Sequence, residues 1–461
     1  MASELFHLSA DELLIGFRSR ELSPLEVIRS ILGRIDAVNP AVNALAFVDA
    51  EAALVAARAS EERWRKHQPV GLLDGVPVTL KDSIAAAGTP SFHGSNAANV
   101  AGVPDAFDAP VAARLKEAGA IVLGKTTMSD FGLIPSGISS RFGVTRNPWD
   151  LARNSGGSSS GAAAAVATGM GPLAVGTDGG GSIRIPAAFC GVFGLKPSYG
   201  RVPLHDPALC IVAGPITGSV ADAALMMNVI TRPDAQDFSA LPHDPRDYRE
   251  GLEGGVRGAR IGLLEDIGFG LKIEPQVRDK LMQAARVFEQ LGAVVEPIAP
   301  LFAESPEPDF DRVLHIGTYL HFSTMTPAQQ EAMLPVLTRW CRHENAESKQ
   351  LLMQSLENFG AIRRATLAPF ATQEFVLAPV MAVLPFAADL PWTPGGTAHN
   401  PFCFPFNMSE QPAASIHGGF SREGLPVGLQ IIGRRFDDRG VLRAAHAYDQ
   451  ATGFLARRAT L

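Results

Sequence analysis

Residues 154–202, NSGGSSSGAAAAVATGMGPLAVGTDGGGSIRIPAAFCGVFGLKPSYGRV, hold two serines in glycine loops, Ser158 and Ser182, with almost no charge between them. Each opens a helix-like run, and a hydroxyl so placed is a candidate nucleophile if a base lies within reach. Upstream, in GLLDGVPVTLKDSIAAAG, Lys81 closes an apolar run (Val76, Val78, Leu80) that reads as a strand, so its amine is predicted to be buried. Burial disfavours the ammonium form, and a neutral amine can accept a proton. Ser182 follows Gly179, Gly180 and Gly181 and precedes the helix-like run from Ile183. Successive backbone N–H groups can converge there at a helix start, an oxyanion hole in outline. The same residues would also make a plain glycine turn capped by serine.

Three other patterns carry less. Gly119 to Thr126 satisfies the phosphate-loop expression GxxxxGK[ST], but its middle residues Ala120 to Leu123 read as a buried strand where a phosphate cradle needs loop backbone. Gly157 to Gly161 satisfies GxSxG, yet a nucleophile elbow follows a hydrophobic strand, and NPWDLARN precedes this one. The 11 histidines would supply a Ser-His-Asp esterase triad, but none lies inside either serine loop.

The spacing of Lys81, Ser158 and Ser182, 77 and then 24 residues, resembles the amidase signature family. So do the phrases GVPVTLKD, GGSSSG, GTDGGGSIRIPAAFCGVFGLKPSYGRV, PFNMSEQPAAS and GLPVGLQIIGRRF, which together reach across most of the chain. The resemblance implies a Ser-cisSer-Lys triad. Ser182 would be the acylated nucleophile, Ser158 the proton relay after a cis peptide from Gly157, and Lys81 the ultimate base and acid. Gly179, Gly180, Gly181 and Ser182 would supply oxyanion N–H groups, while Ser159, Asp178 and Arg184 would brace the network. The implied activity is hydrolysis of amide C–N bonds without a cofactor or metal, with carbamates and esters within reach of the same acyl chemistry. Asp74 and Glu410 depart from phrases where many relatives have His and Gly, and are candidates for reporting on the acyl or leaving-group pocket. The family also contains a glutaminase-type component of an amidotransferase. Where that component continues after its GR[VI] phrase with a serine and aromatic run, this chain has Val202-Pro-Leu-His-Asp-Pro, which favours a free-standing hydrolase. A non-catalytic binding relative would keep the fold but fail to acylate; the matching triad argues against it.

The elements that must position these groups read as one large α/β/α domain over 1–461, a twisted mixed sheet between helical layers. Residues 1–70 read as N-terminal helices and 71–235 as the core that holds the triad. Helical spacing runs from Ser9 to about Trp64, with Pro24 suited to a first turn. Strand-like and helix-like runs then alternate, the mark of an α/β sheet: Val76–Leu80, Ala109–Ala118, Ala120–Leu123, Gly161–Thr168, Leu173–Val175. Later come Arg260–Leu264, Val277–Leu291, Ala293–Pro297, Phe375–Leu384 and Gly428–Gly433. Residues 300–370 are helical, richer in charge and least like the family; they read as a face of the same domain or a cover over the site. Phe131, Leu133, Ile134, Phe370 and Trp392 are candidate pocket residues, favouring a neutral hydrophobic or aryl amide; each would serve equally as core packing.

Composition sets the frame. A chain of 461 residues, 46% hydrophobic, needs no staple to form a core. Its four cysteines show no CxxC or zinc spacing and fit a reducing compartment. The acidic amino terminus lacks the basic and apolar order of a signal peptide, and no run is long enough to span a bilayer, so a cytoplasmic location is expected. A net charge of −7 without a basic patch makes nucleic acid a poor direct partner. A monomer or homodimer acting on a small molecule is expected.

Overall fold

The computed structural model describes residues 5–99, 101–342, 349–393, 396 and 400–461. Eleven strands form a single mixed sheet, and helices cover both its faces. In spatial order the strands are Leu45–Val48, Ile121–Thr126, Pro77–Lys81, Leu173–Asp178, Val212–Thr217, Phe193–Lys196, Ala413–Phe420, Pro426–Gly433, Phe375–Pro379, Arg260–Leu263 and Val294–Pro297. The Pro77–Lys81 strand runs parallel to both its neighbours, and Val212–Thr217 turns the direction.

Alternation along the strands divides the core. Leu173 and Val175 enter a cluster packed by helices Pro110–Glu117, Val220–Ile230, Pro275–Gln290 and Asp438–Thr452. Ala174 points to the other face, against Pro24–Val42, Ser160–Ala167 and Arg184–Cys190. This is the period of two that a pleated strand imposes. Helix Ser160–Ala167 is buried on every side, which explains its run of alanines. At Gly161 an added Cβ would come within 2.1 Å of the Ala44 carbonyl oxygen.

The amino-terminal helical reading resolves into Ala10–Ser19, Pro24–Val42 and Ala50–Arg65. Ser9 with Glu12, and Ser23 with Glu26, close capping boxes at the first two. The four-residue strand Leu45–Val48, at the sheet edge, interrupts this run. It is too short for an alternation to stand out, and the periodicity of the flanking helices hides it. Of the core expected at Phe375–Leu384, only Phe375–Pro379 is strand. The described residues between 307 and 367 form four helices: Glu307–Thr324, Pro327–Ala332, Pro335–Arg342 and Lys349–Leu367. Among the described residues no helix is long and apolar enough to cross a membrane.

Candidate active site

Lys81 ends its strand, and Thr177 and Asp178 end the parallel strand beside it, so these groups collect at the carboxyl edge of the sheet. Open α/β sheets bind ligands at that edge. Val78 and Leu80 are fully buried, and burial of about 1.5–3 kcal/mol per side chain helps offset the cost of carrying an amine into the core.

Lys81 is 1% exposed. Its Nζ lies 2.8 Å from Ser158 Oγ and 2.8 Å from Thr177 Oγ1. Burial pushes its pKa down, against the opposing pull of Asp178 and Asp82, to about 7. A substantial fraction of neutral amine therefore exists at neutral pH.

Ser158 arrives on the loop between strand Asp150–Asn154 and helix Ser160–Ala167, and the Gly157–Ser158 peptide is cis. Asn154 pins the loop: its Oδ1 accepts from the amides of Gly156 at 2.8 Å and Gly137 at 3.2 Å. Ser159 ties this loop to the next. Its amide donates to the Ser182 carbonyl at 3.1 Å, while its hydroxyl donates to the Thr177 carbonyl at 3.2 Å.

The loop from Asp178 to Ser182 is held from beneath by a buried polar knot. Asp178 accepts from the amides of Gly181 (2.7 Å) and Ile183 (3.1 Å), and from Arg184 Nε and Nη2, both at 3.0 Å. Burial would raise this carboxyl's pKa; the Arg184 guanidinium and Asn407 overcome that and hold it well below the usual carboxylate range. Asn407 Nδ2 donates to Asp178 Oδ1 at 2.9 Å, and Gln430 Oε1 accepts from Arg184 Nη1 at 2.6 Å. Because Gly181's amide is committed to Asp178, it differs from those of Gly179, Gly180 and Ser182, which donate to no protein acceptor among the described residues. Ser182 is half-buried. Among the described residues no imidazole hydrogen-bonds to Ser158 or Ser182.

The pocket candidates divide. Phe131, Leu133, Ile134 and Trp392 share one apolar cluster with Phe322, Met333 and Leu337 of the 307–342 helices. That cluster adjoins the site, since a Cβ on Gly132 would lie 3.2 Å from Ser158 Oγ. Phe370 packs elsewhere, with Leu264, Ile267, Val376 and Phe402. The two departures from family phrases are structural. Asp74 accepts from Ser60 Oγ at 2.7 Å and Arg63 Nε at 2.8 Å, and Glu410 pairs with Arg363 and Arg435. Lys125, of the phosphate-loop expression, sits on a strand and donates to Ser91 Oγ at 2.8 Å.

Sequence reasoning missed Thr177, Asn407 and Gln430. All three stand inside phrases already singled out, where their polar side chains were the available signal.

Comparison with known proteins gives the family. The amidase family profile matches residues 26–442. A glutamyl-tRNA(Gln) amidotransferase subunit of Myxococcus xanthus is 35% identical, with 99% of this chain and 100% of the relative covered. An acylamidase of Rhodococcus erythropolis is 33% identical, covering 96% and 95%. Among solved structures, a bacterial aryl acylamidase superposes with a TM-score of 0.90 at 31% identity, covering 98% and 99%. The corresponding amidotransferase subunit from Thermotoga maritima superposes with a TM-score of 0.78 at 29% identity, covering 98% and 94%. A match of this extent, over the residues that build the lysine and serine site, places the chain in the amidase signature family.

Proposed function

We propose that this chain is a free-standing amidohydrolase that cleaves neutral, hydrophobic or aryl amides, with carbamates and esters as further substrates, through an acyl-enzyme on Ser182. The observation that carries the reading is the buried Lys81 amine, 2.8 Å from Ser158 Oγ and titrating near 7. Ser182 Oγ attacks the carbonyl carbon while its proton passes through Ser158 to neutral Lys81. The free amides of the glycine loop take the oxygen's developing charge. When the C–N bond breaks, Lys81 returns the proton through Ser158 to the leaving amine. Water then attacks the ester by the reverse route and releases the acid. No step calls for a metal or cofactor. The chain works as a monomer or homodimer in the cytoplasm.

The apolar cluster around Phe131 and Leu133 supports a hydrophobic substrate. A second reading, a glutaminase-type component of an amidotransferase, draws support from the 35% identical relative. Two assays separate them. A fluorophosphonate should modify Ser182 alone, and an adduct on Ser158 with Ser182 free would overturn the roles. In a screen of aryl amides, carbamates, esters and glutamine at one enzyme concentration, turnover of aryl amides is expected. Ammonia release from glutamine alone, by a chain that copurifies with a partner, would favour the amidotransferase reading.

A further inference from the structure

Gly179 and Gly180 are not in the left-handed backbone region, so their glycines answer to space rather than to backbone angle. A Cβ on Gly180 would lie 3.2 Å from Phe310 Cζ, and one on Gly179 would lie 3.2 Å from Ile211 Cγ1. Two half-buried apolar side chains thus reach the backbone whose amides donate to no protein acceptor among the described residues. Phe310 comes from helix Glu307–Thr324, in the part of the chain least like the family, and Ile211 from the turn before Val212–Thr217.

Phe310 is also held in place. Its ring stacks on Phe404 with centroids 4.9 Å apart and planes at 21°. The neighbouring Asp309 accepts from Ser355 Oγ at 2.7 Å and from Asn358 Nδ2 at 3.0 Å, fastening this helix to Lys349–Leu367. A carbonyl oxygen docked on the Gly179 and Gly180 amides brings its own substituents within a bond or two of these side chains. A group pre-positioned in this way discriminates without losing entropy on binding.

We propose that Phe310, assisted by Ile211, is a specificity-determining residue that favours substrates with an aryl or other flat apolar group beside the scissile carbonyl. This rests on Ser182 being the nucleophile. The test compares inactivation of the full chain by phenylmethanesulfonyl fluoride and by methanesulfonyl fluoride. In each reaction Ser182 Oγ would form the S–O bond and release fluoride and a proton, and mass mapping would locate the adduct. The methyl reagent reports whether the nucleophile is intact, and the ratio of the two rates reports the aryl preference. The unaltered chain should prefer the aryl reagent. Phe310→Ala should cut that ratio about 10-fold, Phe310→Leu less, and Ile211→Ala less again. An aryl-to-methyl ratio within about twofold of the unaltered chain's, in variants that still label, would overturn the inference. So would an equal fall in both rates for both Phe310 variants, which would mark the ring as structural. Failure of both reagents to modify Ser182 in the unaltered chain would instead refute the nucleophile assignment, and this inference with it.

Discussion

At the scale of single residues, the proposed chemistry turns on a lysine kept out of water. A side chain that titrates near 7 gives almost the same rise of rate with pH as a histidine near 6.5. The pH profile of kcat/KM should therefore climb with an apparent pKa of about 7 and stay high into alkali. Substitution is what separates lysine from histidine. Lys81→Arg should lose about 10²–10⁴-fold in rate, because a guanidinium keeps its proton at any usable pH. Lys81→Ala should damage an aryl amide far more than a nitrophenyl ester, since only the amine leaving group needs the returned proton. Equal loss on both substrates, measured by steady-state kinetics, would show Lys81 to be structural. Ser182→Ala should abolish turnover, with Ser158→Ala keeping a trace.

At the scale of elements, two loops must be held in register. The Ser158 loop hangs from Asn154, and the glycine loop sits on the Asp178–Arg184 pair, both members of which are fully buried. A buried pair contributes little net stability, but breaking it strands a charge. Asp178→Asn should therefore cost about 3–5 kcal/mol in urea unfolding, and a cost under about 1 would contradict the assignment. Asn407→Ala leaves the pair intact but removes a donor to Asp178 and to its carbonyl. It should cost about 1–3 kcal/mol. Because the proposed mechanism has the loop's amides act on the charged intermediate more than on bound substrate, kcat should fall while KM changes little.

At the scale of the whole molecule, the buried Lys81 amine has a thermodynamic consequence. The folded-state pKa of Lys81 lies below its unfolded value, so between about 7 and 10.5 the unfolded chain binds more protons than the folded one. Stability contributed by this site accordingly rises with pH across that window, and the cost of burying the ammonium is fully present below it. Lys81→Met should be inactive and more stable than the parent at pH 6, with the advantage shrinking toward pH 10. Thermal melts of both chains across that range test this, and a constant difference would refute it. In the proposed mechanism, activity and stability are in opposition at this one residue.

The sequence by itself determined the strand that ends in Lys81, the α/β alternation, and the two glycine loops, because each depends on neighbours within a dozen residues. The resemblance carried by the phrases around Lys81, Ser158 and Ser182 implied a lysine base, where the residues alone left a plain glycine turn and a histidine triad open. Tertiary structure alone decided which groups meet. The 2.8 Å contact from Lys81 to Ser158, the brace from Asn407 and Gln430, and the approach of Phe310 to Gly180 all join residues that lie far apart in the chain. Phe131 and Phe370 look alike as aromatic candidates in the sequence, yet one packs beside the Ser158 loop and the other in a separate core. An apolar side chain records in its type only that it will be buried; the direction of the chain through the sheet decides against what.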